Sequence, residues 1–317
     1  MNELLNQSAH EMTVIVEKAR EYINDAKSDN TKRAYRSDWQ DFKQWCDSNG
    51  SLPLPADPAT ICLYLTQLVA SRKVSTLQRR IAAIGQAHLA AGYSSPTTHI
   101  SVRSLMRGIR RQIGSIQIGK APLLIEHIRR MVNSLPSSKA GIRDKALILL
   151  GFSGAFRRSE LIGLNFENIE FAKEGLIVTL SRSKTDQEGQ GTKKGIPFGK
   201  FNDTCPVSAL QEWLKISDIT TGAIFRGIDR HGNISNKRLT GKAVSLVIKR
   251  IAKNIGLAPE KFAGHSLRSG LATQASISGA SEIEIMNQTG HRSIVTLRRY
   301  IRDGNLFRQN AASKVGL

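Results

Sequence analysis

The chain has 317 residues, of which 40% are hydrophobic, and its 46 Lys+Arg against 26 Asp+Glu give a formal net charge of +20. That length favours about two domains with ordinary cores, and the hydrophobic fraction excludes wholesale disorder. A positive surplus of this size carries self-repulsion that a polyanionic partner relieves. The basic residues are spread along the chain and form no single amphipathic stretch, which argues against a membrane surface as that partner. No apolar run approaches a membrane span. Cys46, Cys62 and Cys205 form no CxxC pair, which fits a reducing compartment and neither a disulfide framework nor a zinc site. Glu3, His10, Glu11 and Glu17 interrupt any signal-peptide core. The expectation is a soluble cytoplasmic protein, nucleoid-associated in a prokaryotic cell.

In chain order, the N-terminal third reads as helical. Over residues 9–26, Met12, Ile15, Val16, Ala19 and Ile23 recur on one face. Asp29 or Asn30 is placed to cap a second helix carrying Tyr35, Trp39, Phe42 and Trp45 or Cys46 at helical spacing, a pattern of core residues rather than of a base-stacking platform. A third opens with Asp57 as N-cap and Pro58 at the first position, with Ile61, Tyr64, Leu65 and Leu68 as its buried stripe. A fourth covers about 76–91 and stops at Gly92. A fifth, near 102–113, holds Arg103, Arg107, Arg110 and Arg111 without an acidic residue between them. Like charges one turn apart repel, so these arginines are candidate contacts to a phosphate backbone.

Residues 115–122 lack periodicity and include Gly119 and Pro122, which marks a linker between a domain at 1–114 and a second at 123–317. The second domain opens with helices at about 125–134 and 142–152. GLIVTL and IPF then flank the polar, Gly-rich SRSKTDQEGQGTKKG between 169 and 198, a β-hairpin with a long basic loop. The remainder reads as helical, at 206–214, 239–255, 266–278 and a short helix after Ser281, whose partner Glu284 completes a capping box. The fold class is mostly α with a small β-sheet.

Chemistry-bearing residues concentrate near the C-terminus. GHSLRSG sets His265 and Arg268 three apart, on one side of a helical turn, with Ser266 as its expected N-cap. Positive side chains there oppose the helix dipole unless an anion binds between them. TGHRSIVTLRRYIR carries His291 and, nine residues on, Tyr300; far upstream, GAFRRSELIGL carries Arg157, Arg158 and Glu160. Arginine forks hold phosphate oxygens, histidines move protons, and a tyrosine hydroxyl is a nucleophile once a base takes its proton. The loop adds Lys184, Lys193 and Lys194, and a lysine ammonium there can protonate a departing oxygen. There is no GxxxxGK[ST] and no metal-ligand spacing of carboxylates with histidines, so neither a metal nor another cofactor is expected.

In this order and spacing the motifs resemble the tyrosine recombinase (phage integrase) family, which includes Cre and the Xer proteins. The likeness runs from about residue 30 to 307. Arg157 matches the family's first arginine, Glu160 the supporting acid, Lys184 the hairpin lysine (with Lys193 as rival), His265 and Arg268 the H-x-x-R pair, His291 the His/Trp position and Tyr300 the nucleophile. The resemblance implies a two-domain DNA clamp: a helical, SAM-like core-binding domain and an α+β catalytic domain. It implies a site-specific recombinase that cuts double-stranded DNA through a 3′-phosphotyrosine without cofactors. It further implies a homotetramer on DNA, with a monomer or dimer at each site, and accessory DNA-bending or directionality proteins. Leu306 and Phe307 in the tail are candidates for a plug into a neighbouring protomer. Base-reading groups are expected on the second and fourth helices and from Lys242 to Arg250. A catalytically silent DNA-binding regulator and a type IB topoisomerase-like nicking-closing enzyme are the alternatives; the first has no use for Tyr300, the second none for synapsis.

Overall fold

In a computed structural model of the chain, the described residues are 27–114, 119–180 and 191–305, with isolated positions 17, 18, 22 and 315; within 191–305 the side chains are described through Ile301. The chain divides into two compact units, Met1–Ile118 and Gly119–Leu317. Among the described residues no helix is long and apolar enough to cross a membrane.

The first unit is built from α1 (Asp29–Ser48), α2 (Pro58–Val69), α3 (Val74–Ala90) and α4 (Ile100–Ile113). The expected helix at 9–26 lies, isolated positions apart, outside the described residues. Ser28, rather than Asp29 or Asn30, caps α1: its hydroxyl accepts from the Thr31 amide at 3.4 Å. Asp57 caps α2 as its sequence demands, accepting from Ala59 N at 2.7 Å. The aromatic stripe is core. Phe42, Cys46 and Tyr64 have no exposed surface, and the Phe42 and Tyr64 ring centroids are 5.0 Å apart. Such side chains contribute roughly 1.5–3 kcal/mol each on burial. The polar end of Tyr64 is satisfied too, because its hydroxyl donates to Asp41 at 2.7 Å and Arg80 bonds both groups.

The second unit runs α5 (Ile125–Asn133), α6 (Lys139–Ser153), α7 (Arg158–Gly163), β1 (Ile169–Ala172), β2 (Gly175–Leu180), β3 (Thr192–Pro197) and α8 (Pro206–Ser217). It continues through β4 (Arg226–Ile228), β5 (Ile234–Arg238), α9 (Gly241–Asn254), α10 (His265–Ile277), α11 (Glu282–Thr289) and α12 (Ile294–Asn305). Its core helix is α6, where Leu147, Ile148, Leu149 and Leu150 are buried in succession; a helix apolar on every side must be enclosed. It packs most extensively on α8, whose Trp213 is fully buried with its indole N–H on the Ile224 carbonyl at 2.9 Å.

Strands β1, β2 and β3 form an antiparallel sheet in the order β1-β2-β3, with Val178 opposite Lys194 and Thr179 opposite Lys193. Side chains alternate between faces along a strand. Lys194 therefore shares the buried face with Ile196, while Lys193 and Gly195 face solvent. The helical reading of the remainder omits a second, two-stranded sheet of β4 and β5. These strands are too short for their alternation to register. A local turn holds them, in which the Asp229 carboxylate accepts from His231 N at 2.8 Å and Asn233 N at 2.9 Å. A second correction concerns α10. His265 is already helical, and Ser266 lies inside the first turn, its hydroxyl accepting from Ala263 N at 3.1 Å. This helix approaches its neighbour so closely that a Cβ on Gly270 would stand 2.1 Å from the Leu123 carbonyl oxygen. Only glycine permits that packing, and it seats the helix that carries Arg268.

Candidate active site

Four segments of the second unit converge. The first is the turn after α6, where Ala155 takes φ = +46°, a left-handed conformation that non-glycine residues adopt only when the surroundings hold it there. The turn aims the Ala155 carbonyl at Arg268, whose Nη1 donates to it at 2.7 Å. Arg157 follows immediately before α7 and is gripped twice by Glu160. Its backbone N–H donates to Glu160 Oε2 at 2.9 Å and its Nη1 to Oε1 at 2.5 Å. One carboxylate three residues on thus caps the helix and orients the guanidinium. The other arm of Arg157, Nη2, donates to the Gly290 carbonyl at 3.4 Å.

The second segment is the first turn of α10. Arg268 is 2% exposed, and its Nη2 has no hydrogen-bond partner among the described residues. A buried charged donor left in this state carries a large desolvation penalty. Burial, and then Arg157, bring its pKa down to about 10, so it stays charged at neutral pH. One turn back, His265 keeps an edge open to solvent, yet crowding by neighbouring atoms, followed by Arg268 and Arg157, holds its pKa below the ordinary histidine value.

The third segment follows α11. His291 Nδ1 lies 2.7 Å from the hydroxyl of fully buried Thr289, which itself donates to Ile285 O at 2.6 Å. Burial first, then Arg268, Arg157, His265 and Lys194, push His291 down to about 4. The fourth is α12. Leu297 is fully buried against Ala272 and Ile285, and this packing docks α12 on α10 and α11. It places the Tyr300 hydroxyl 2.8 Å from His265 Nε2, with its ring centroid 5.8 Å from that of His291.

Arg157 and Arg268 therefore stand together with Glu160 as the carboxylate beside them, and buried Lys194 adds a further positive charge to the same field. Such a cluster is incomplete without an anion. A phosphate diester fits it, with a hydroxyl nucleophile and neutral imidazoles alongside.

Residues 123–305 match the phage integrase family. This chain belongs to that family. The chain is 41% identical over 302 residues to an integrase/recombinase XerD homolog of Selenomonas ruminantium, covering 94% of this chain and 89% of that one. It is 22% identical to the recombinase Cre of Escherichia phage P1, over 87% of this chain and 84% of that protein. The fold is that of a Tn1549 transposon integrase solved in complex with transposon right end DNA. The TM-score is 0.65 at 16% identity, covering 94% of this chain and 98% of the other.

The structure thus brings Arg157, Glu160, His265, Arg268, His291 and Tyr300 together. Lys184 lies outside the described residues. Its rival Lys193 points to solvent on β3, and the lysine that reaches the cluster is Lys194, 5% exposed. The signal was available: period-two alternation back from Ile196 puts Lys194 on the inner face. In the first unit, burial of Val102, Met106 and Ile109 turns the rest of α4 outward. Arg103, Arg107 and Arg110 line a shallow concavity of about 410 Å³ with Gln78, Ile81 and Thr97, while Arg111 is exposed and does not line it. On α9, Lys242 is exposed, but Arg250 is engaged, its Nη2 2.5 Å from fully buried Asp144. That ion pair ties α9 to α6 and gives Arg250 a structural partner. Leu306 and Phe307 lie outside the described residues.

Proposed function

We infer that this protein is a tyrosine-type site-specific DNA recombinase whose second unit carries the strand-transfer chemistry. The observation that carries the assignment of residues is the 2.8 Å Tyr300–His265 hydrogen bond, made beside a buried arginine with an unpartnered donor. In the proposed reaction, the scissile phosphate of double-stranded DNA enters between Arg157 and Arg268, and its non-bridging oxygens take the free arm of Arg268. Tyr300 Oη attacks phosphorus and its proton passes to His265 Nε2. The phosphorus–O5′ bond breaks, leaving a 3′-phosphotyrosine and a 5′ hydroxyl once the leaving oxygen gains a proton. Lys184 is the donor that the family resemblance assigns to that step. A 5′ hydroxyl from a second strand then reverses the sequence and reseals the DNA. Charge on the pentacoordinate phosphorus is met by Arg157 and Arg268, donors fixed before the reaction starts, and by His291 once the bound anion lets it carry a second proton.

The phosphate also changes its own catalysts. Repulsion by the cations is among the causes that keep His291 and His265 neutral, and a bound anion offsets it. Neutral His265 can accept a proton, and anion-paired His291 can carry one. Arg103, Arg107, Arg110, Arg111 and Lys242 are proposed as backbone contacts that add affinity and salt dependence. Synapsis of two sites by a homotetramer, with accessory proteins setting direction, completes the reading; such an enzyme works where DNA lies, in the cytoplasm.

The test is capture of an SDS-resistant adduct in EDTA from a library of nicked duplexes with randomised cores. Adduct mapped to Tyr300, with none from Tyr300→Phe, is the expected result and identifies the target sequence at once. Sequence-specific binding without adduct overturns the enzyme reading. A pH profile follows from His265. Below its pKa the imidazole is protonated and cannot take the tyrosine proton, so the free-enzyme rate, kcat/KM, falls as pH drops through that value. The shift of His265 is downward, so the acid limb is expected below about pH 6.5, the ordinary histidine value. His265→Gln is expected to remove the limb; a limb that persists assigns the base elsewhere.

A further inference from the structure

Lys194 has no part in the reaction as described, yet it is one of the most constrained cations in the protein. It is 5% exposed on the inner face of β3, beneath the ring of Phe156, whose centroid its Nζ approaches to 5.1 Å. Among the described residues its ammonium makes no ion pair; it donates instead to the Gly154 carbonyl at 2.9 Å and the Gln288 carbonyl at 2.8 Å. Gly154 is three residues before Arg157, and Gln288 is three residues before His291. The Gln288 side chain returns the contact: its Nε2 donates to Ser153 O at 2.7 Å and to Gly195 O at 3.3 Å.

These bonds form a reciprocal clasp. A side chain on β3 holds the backbone of the arginine turn and of the histidine turn, and a side chain from the histidine turn holds the arginine turn and β3. Burying an ammonium is expensive, and burial, followed by repulsion from Arg268 and Arg157 against attraction to Glu160, brings the pKa of Lys194 down to about 8. A packed apolar side chain on this face would fold with less strain. What it lacks is a donor with the reach and charge to hold two carbonyls from separate segments.

We propose that Lys194 is a positioning residue for strand cleavage, which with Gln288 fixes Arg157 and His291 relative to one another so that both meet the same phosphate. The inference rests on the recombinase reading and goes beyond it, because this lysine acts through backbone carbonyls and transfers no proton. Misplacement of catalytic groups by about 1 Å is enough to lower a rate about 10²-fold. Arginine also offers donors to two carbonyls, so it preserves most of the clasp.

The experiment measures single-turnover adduct formation on the nicked duplex selected above, beside DNA affinity and thermal melting of the full chain. Lys194→Met is expected to cleave about 10²-fold more slowly with affinity within about twofold of wild type, as groups away from the phosphate contacts allow. Lys194→Arg is expected to recover to within about tenfold of wild type, for the geometric reason given. Gln288→Met removes the returning half of the clasp without stranding a buried charge, and is expected to cleave about tenfold more slowly. The proposal is overturned if Lys194→Met cleaves at the wild-type rate, or if its cleavage, binding and melting decline together and Lys194→Arg rescues none of them. Should Lys194→Met fail to fold, Gln288→Met decides: cleavage at the wild-type rate overturns the clasp. Absence of adduct from the wild-type control would instead overturn the recombinase reading itself.

Discussion

Replacing Arg268 with methionine is expected to lower single-turnover cleavage by about 10²–10³-fold, the loss found when one preorganised donor to a transition-state oxyanion is removed, without lowering the melting temperature. Three effects compete in the folded protein. The Ala155 carbonyl loses its partner at 2.7 Å, which costs about 1–3 kcal/mol. Against this, the protein no longer buries a cation with one arm unpartnered and Arg157 alongside. The fall in pKa to about 10 means that the site disfavours the charged arginine by about 3 kcal/mol. Methionine also fills much of the same volume with apolar atoms, and such exchanges of buried charge are often neutral or stabilising. The balance lies at or above zero, so activity and stability separate. A melting temperature several degrees below wild type would mean that Arg268 is a structural strut, and the argument that its free arm awaits a phosphate would fail.

The same physics decides which features of the site are legible in the sequence. Local chemistry was legible. Asp57 with Pro58, and Ser281 with Glu284, start helices in the places their side chains dictate, since a cap depends on oxygens within three residues of the chain. His265 and Arg268 share a face because they are three apart on a helix, and Arg157 finds Glu160 for the same reason. The aromatic stripe is core because its spacing is helical. Long-range pairing was not legible. Arg250 looks like a free cation in sequence, and the carboxylate that engages it, Asp144, lies 106 residues away. Lys194 is one of several lysines in a polar stretch until the β2–β3 register turns it inward. The partners of its ammonium are backbone carbonyls, which every residue possesses and no sequence pattern announces.

The complement of Arg268→Met is Glu160→Gln, which retains shape and removes a carboxylate that gathers the site. Glu160 has 4% of its side chain exposed and accepts from both the backbone and the guanidinium of Arg157. Its charge also opposes the shifts that burial and neighbouring arginines impose on Lys194 and Arg268. A glutamine can accept one of the two Arg157 bonds through its carbonyl, but its amide then turns a donor toward the other donor. Removing one partner of a buried pair typically costs 3–5 kcal/mol; because Arg157 is 19% exposed and water screens part of its charge, about 2–3 kcal/mol is expected. That corresponds to a fall of about 5–10 °C in melting temperature for a unit of this size. Inorganic sulfate then distinguishes charge from packing. If the cluster is held together by negative charge, sulfate occupying the phosphate position stabilises Glu160→Gln more than wild type, through mass action on the folded state, and sodium chloride of equal ionic strength does not. Equal stabilisation of both proteins by sulfate would show that Glu160 acts as a helix cap alone. A larger response in the variant would show that the enzyme keeps the Glu160 carboxylate so that the cations around it can stay assembled while they wait for DNA.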